Sequence, residues 1–133
     1  MARRREARRL AVSILYQAEL GGRPVDEVVE EQRALGTRVP GFTEDLVRGV
    51  ETNREELDRL IGEHAEGWTV PRMAAVDRAL LRVACYEMLF RPDIPTAVAI
   101  DEAVAAAKEL STEASGRFVN GVLGRIARER APG

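Results

Sequence analysis

The stretch Trp68–Phe90, WTVPRMAAVDRALLRVACYEMLF, constrains the chain most, because its apolar residues cannot all be gathered on one side of a helix. The pattern predicts a helix that opens after Thr69 and Pro71 and advances about 100° per residue. Val76, Leu80, Val83 and Phe90 then share one face, while Leu81, Cys85, Met88 and Leu89 lie roughly opposite. Arg78 and Arg82 are left on one narrow polar seam, and Asp77 on the other. A helix apolar on two sides needs packing partners on both, so this element is expected at the centre of the fold. Glu87 breaks the pattern, since it falls among Val76, Leu80, Val83 and Phe90. Burying a carboxylate there is unfavourable unless a cation or donors meet it, which predicts a tethering acid and not a catalytic one.

A chain of 133 residues has room for one compact domain, or for two small bundles that share a central helix. Abundant Ala, Leu, Glu and Arg, with few aromatic or β-branched runs, favour helix throughout. No segment is long and apolar enough to span a membrane. Arg8-Arg9-Leu10 superficially suggests an export signal, but Gln17 and Glu19 interrupt the apolar run that follows. The single cysteine, placed on the central helix, excludes an internal disulfide and suits a reducing, cytoplasmic setting. With a single histidine, His64, a histidine-based metal site or a Ser-His-Asp arrangement is not expected. There is no glycine-rich phosphate loop and no nucleophile elbow, and Asp77 and Glu87 fall on different faces. The expectation is a protein without catalytic activity, metal or cofactor.

Charge is distributed unevenly: residues 1–9 carry five Arg against one Glu, although the whole chain has a net charge of −2. Asymmetry of this kind points to an anionic partner at one end. Residues 3–20 predict an amphipathic helix that buries Ala7, Leu10, Ala11, Ile14 and Ala18. On its opposite face Arg5, Arg9, Val12 and Tyr16 follow one another at helical spacing, with Arg8 alongside. Such a ridge is either a solvated charged face or a phosphate-binding row with a ring available to stack on an unpaired base.

Gly21-Gly22-Arg23-Pro24 ends that helix, a short acidic helix follows over residues 25–35, and residues 36–41 form a loop. Leu46, Val50, Asn53, Leu57, Leu60 and His64 predict one long helix over 43–65, although Thr52-Asn53-Arg54-Glu55 has the spacing of a capping box and leaves a kink or restart open. His64 is expected at the core edge or as a cap, and Trp68 as a core plug with its N–H bonded. Arg91-Pro92-Asp93-Ile94-Pro95 must leave helical geometry. Thr96 is expected to cap a helix burying Ala97, Ile100, Val104 and Ala107, with Asp101, Glu102, Lys108 and Glu109 in solvent. The last helix, about 113–130, buries Val119, Val122, Leu123 and Ile126. Phe118 lies off that stripe, while Arg117, Arg125 and Arg128 share the exposed side with Gly121 and Gly124. That side either admits a flat ligand or serves close helix contact.

Three segments, VDRALLRVACYEM at 76–88, IPTAVAIDEAVAAAK at 94–108 and SGRFVNGVLGRIA at 115–127, and the arginine-rich start ending in Leu15-Tyr16, resemble the NusB family of bacterial transcription antitermination factors in order and spacing. The resemblance spans nearly the whole chain. It implies an all-α fold of two small three-helix bundles packed around a shared central helix, an N-terminal bundle at about 3–66 and a C-terminal one at about 68–130 within a single domain over 1–133. It also implies binding of the single-stranded boxA RNA of ribosomal RNA operon leaders together with NusE, the small-subunit ribosomal protein, and loading with other Nus factors onto RNA polymerase. Carried over residue by residue, the RNA contacts fall on Arg3, Arg4, Arg5 and Arg8, on Tyr16, and on Arg117 and Phe118, with Arg9 added from the ridge itself. Asp77 matches an acidic position near the RNA and NusE surfaces. Departures are Gly124 where Asp is frequent, Leu110 where an aromatic is common and Met88 where Leu is usual. The alternative is a NusB-like protein-assembly module, such as the N-terminal domain of ribosomal RNA cytosine methyltransferases, or a homodimer that occludes its RNA face. A DNA-binding helix-turn-helix would need a basic recognition helix, and the basic helix here opens the chain.

Overall fold

Two apolar faces on one helix are met by two sets of neighbours. The structure, a computed structural model, describes residues 2–130. Seven helices follow in order: α1 Ala2–Gly21, α2 Val25–Ala34, α3 Gly41–Thr52, α4 Arg54–His64, α5 Ala75–Phe90, α6 Thr96–Leu110 and α7 Glu113–Arg130, with a 3-10 turn at Val70–Arg72. No strand occurs among the described residues, and none of their helices is long and apolar enough to cross a membrane. From Ala79 to Glu87 every residue of α5 is buried. It packs on α1 and α3 on one side and on α4, α6 and α7 on the other, with α2 closing the first group against α1. Helices grouped around a central helix are therefore present as expected, with Ile14, Leu46 and Val47 sealing one half of the core and Leu57, Leu123 and Ile126 the other, but α4 joins α6 and α7 and not an N-terminal bundle over 3–66.

Four local expectations are corrected. The predicted long helix over 43–65 is two helices that meet at Asn53, whose φ of −107° and ψ of 17° leave helical geometry. The Thr52–Glu55 capping box does not form. Instead the Asn53 amide nitrogen Nδ2 donates to the Gly49 carbonyl at 2.8 Å, and the Asn53 carbonyl accepts from the Leu57 N–H at 2.9 Å. The break lets α3 pack on α1 while α4 turns to α5 and α7. Second, α5 begins at Ala75, not just after Pro71. The Arg78 guanidinium reaches back to the carbonyls of Val70, Pro71 and Met73, which holds the lead-in as a separate turn. Third, Trp68 is 51% exposed and plugs nothing, because Gly67, at φ 75°, reverses the chain before it. Fourth, Thr96 is the first residue of α6 and caps nothing, and the buried stripe of α6 is Ala99, Ala103, Ala106 and Ala107 with Ile100 and Val104 on its flanks and Ala97 exposed. Small side chains are the ones that admit α5 and α7 at close range.

His64 sits at the core edge, as its spacing suggested. Its Nδ1 lies 2.8 Å from the Leu60 carbonyl and its Nε2 meets the Glu129 carboxylate, so only the imidazolium satisfies both acceptors. The Leu60 carbonyl above all, with Glu129 helping and burial opposing, raises its pKa above the ordinary 6.5. The stability this adds is complete below that value and is lost as pH rises through the raised native pKa. The melting temperature is thus expected to fall from pH 6 to pH 9 more steeply in the parent than in His64→Gln. Parallel profiles would contradict the assignment.

Candidate nucleic-acid interface

The interface is organised by how α1 lies on its neighbours. Against α5 it runs antiparallel, because Arg8 near its start meets Glu87 near the end of α5, while Glu19 near its end accepts from Arg78 and Arg82 near the start of α5. Alongside α6 it runs parallel, since Arg5 pairs with Glu102 and Arg9 with Glu109. Asp77 at the start of α5 accepts from Ser115 Oγ at the start of α7, 3.2 Å away. The Tyr16 half of α1 and the starts of α5 and α7 therefore gather at one end of the molecule.

The arginines of α1 divide into two kinds. Arg8 is buried, and its Nε lies 2.9 and 3.1 Å from the two Glu87 oxygens, with a further guanidinium nitrogen at 2.8 Å. This is the cation that Glu87, only 1% exposed, required. Burial pushes the Glu87 carboxyl up, and the Arg8 guanidinium pulls it back down. Arg8 thus turns to the core and away from the outward row beside which its spacing placed it, and Val12 is likewise buried, lining a small cavity with Leu80 and Val83 of α5 and Ala103 of α6. What remains outward is Arg3, Arg4 and Arg5, all exposed, then Arg9 and Tyr16. Arg4 reaches Asp93 at 3.6 Å and lies 4.4 Å over the Phe42 ring. Arg5 and Arg9 each hold their acid at 3.0 Å. The seam of Arg78 and Arg82 is structural: Arg82 donates to both Asp58 oxygens at 2.8 and 2.9 Å and to Glu19 at 2.7 Å.

At the other end of the sequence Arg117 is exposed and Phe118 half-buried. Phe118 meets Trp68 edge-on, with ring centroids 6.3 Å apart and planes at 69°. These rings, with Arg72, Met73, Asp77 and Ser115, line an open groove of about 360 Å³. Asp77 Oδ1 is buried there without a hydrogen-bond partner, and burial raises the pKa of its carboxyl against the pull of Ser115. Tyr16 and Phe118 make no ring contact with each other. Trp68 lines this groove and was not among the candidates read from the sequence, because a tryptophan invites a core reading. The signal against it was its place outside any apolar stripe, directly after a glycine in a non-helical segment. The bare face expected at Gly121 and Gly124 is overlain by the helix's own Arg125 and Arg128, and Arg125 Nε donates to the His64 carbonyl at 2.8 Å. No group of His, Cys, Asp or Glu suited to a metal ion occurs among the described residues.

The model of the NusB family matches residues 5–128. The chain belongs to the NusB family. Among its relatives, the transcription antitermination protein NusB of Saccharopolyspora erythraea is 53% identical, over 96% of this chain and 88% of that one. The counterpart from Thermobifida fusca is 50% identical over 96% and 90%. Of solved structures, T. maritima NusB superposes with a TM-score of 0.85 at 41% identity, covering 97% of this chain and 93% of its own. A second, at 27% identity and TM-score 0.86 over 97% and 98%, is a crystal structure of the antitermination factors NusB and NusE in complex with double-stranded RNA. As in those proteins, antitermination of transcription is the family's business, and the fold is the family's fold.

Proposed function

We propose that this chain binds the single-stranded boxA RNA of ribosomal RNA operon leaders through one continuous face, jointly with NusE, and helps to load the antitermination assembly with other Nus factors onto RNA polymerase. The observation that carries the reading is the outward line of Arg5, Arg9 and Tyr16 on α1, with Arg3 exposed at its start, leading to the end of the molecule where Arg117 and the Phe118–Trp68 groove lie. Guanidiniums supply phosphate contacts of general affinity, and the two half-exposed rings supply stacking on splayed bases. Asp77, at the junction of α5 and α7, is assigned to the border with NusE. Arg8 supports the face from within by fixing the start of α1. The solved NusB–NusE complex with RNA supports the choice of both partners.

Because the RNA of that complex is a duplex, strandedness is what the test must decide. Single-stranded boxA-like RNA, its duplex and DNA of equal length are titrated with and without NusE. The single strand is expected to bind tightest, and tighter still with NusE. Tyr16→Ala and Phe118→Ala are each expected to lose about 1–3 kcal/mol of that affinity. Equal affinity for all three oligonucleotides, or full affinity in Tyr16→Ala, would overturn the reading.

A further inference from the structure

Of the outward arginines, Arg5 and Arg9 hold carboxylates of the same neighbouring helix. Arg5 donates from Nε to Glu102 at 3.0 Å and from a terminal nitrogen at 3.1 Å, a two-pronged grip. Arg9 reaches Glu109 at 3.0 Å. The acids stand about two turns apart on α6 and their arginines about one turn apart on α1, so the longer reach of the Arg9 side chain closes the second pair. The fork of Arg5 is the one a guanidinium offers to a phosphate, so Glu102 occupies a position that a phosphate could take, and Glu109 holds Arg9 by a single contact beside it.

We propose that Glu102 and Glu109 are specificity-determining residues, which compete with RNA phosphates for the guanidiniums of Arg5 and Arg9 and so suppress binding to RNA that engages nothing else on the face. The proposal rests on the RNA reading above and concerns the regulation of that same site. The exchange is close to balanced: each arginine trades a carboxylate for a phosphate, and the abandoned carboxylate is left beside the incoming anion. Exposed ion pairs of this kind add little to stability, so they can open. Each pair has one open member, Arg5 at 55% and Glu109 at 66% against 19% for Glu102 and 23% for Arg9, whereas Arg8 and Glu87, at 11% and 1%, cannot take part. Glu102 is ionised at neutral pH, because Arg5 first, with Arg8 and Arg9 behind it, holds its carboxyl below the usual range. RNA that also stacks on Tyr16 offsets the cost of opening both pairs, and RNA offering phosphates alone does not.

The test uses the full chain with a uridine oligomer and a boxA-like oligomer of equal length at low salt. Glu102→Gln and Glu109→Gln are each expected to tighten the uridine oligomer about two- to five-fold, the range set by an exposed ion pair, and to narrow the preference for the boxA-like one. Glu31→Gln makes the same change of charge on α2, where Glu31 pairs with Arg23 at 2.9 Å, and is expected to change neither. In an Arg5→Ala background the effect of Glu102→Gln is expected to vanish. If Arg5→Ala weakens binding while Glu102→Gln changes nothing, or Glu31→Gln tightens as much, the competition is overturned and the RNA reading stands. If neither the parent nor Glu102→Gln binds either oligomer, the RNA reading falls and the competition with it.

Discussion

Arg8→Ala is expected to destabilise the protein by about 3–5 kcal/mol, because it strands the Glu87 carboxylate in the core with no other cation bonded to it. Glu87→Ala strands the guanidinium instead and is expected to fall in the same range. The pair is not therefore a large net source of stability, since burial alone pushes the Glu87 carboxyl up and Arg8 only counters it. Replacing both by methionine is accordingly expected to leave stability near the parent's or above it, as for other buried pairs exchanged for apolar residues of similar volume. Denaturant unfolding of the two single variants and the double checks this. A single variant within about 1 kcal/mol of the parent would contradict the buried pairing.

Gly49→Ala is expected to be the next most damaging. A methyl group at Gly49 would overlap the ring of Tyr86, where α3 and α5 touch. The ring cannot swing aside easily, since its hydroxyl donates to Asp45 at 3.0 Å and its face stacks on Phe90 with centroids 5.5 Å apart. Overpacking of this sort costs about 1–3 kcal/mol, at the upper end where the neighbour is pinned, and outweighs the roughly 1 kcal/mol that alanine gains over glycine within a helix. Thermal unfolding measures the difference, and combination with Tyr86→Leu should recover part of the loss. A Gly49→Ala protein as stable as the parent would show that the two helices can part at no penalty.

What could be read from the residues, and what could not, follows the reach of each interaction. Periodicity placed α5 at the centre because a helix apolar on two sides has few other places to go, and it marked Glu87 as needing a cation. It did not say which cation, because Arg8 lies 79 residues away and only the antiparallel crossing of α1 and α5 joins them. The same gap hid Glu102, read as solvated from its own helix alone, yet gripped by Arg5 97 residues away. In α6 the alanines carry so little contrast that the stripe could be set one position off without breaking the pattern. The candidate site residues of α1 are legible in kind, as arginine and tyrosine on one ridge. Their division into an inward Arg8 and an outward Arg5, Arg9 and Tyr16 depends on α5, whose Glu87 draws Arg8 into the core and leaves the others on the surface.

That division is the centre of the account, and the salt dependence of RNA binding tests it most directly. With Arg3, Arg5, Arg9 and Arg117 on phosphates, log K against log salt should have a slope of roughly −3, from about −0.7 per contact with a single strand. Arg5→Ala should make the slope shallower by somewhat under one unit, whereas the Arg8→Met/Glu87→Met double variant should keep both the affinity and the slope of the parent. A double variant that folds yet loses the same share of slope as Arg5→Ala would place Arg8 on the RNA and contradict the account.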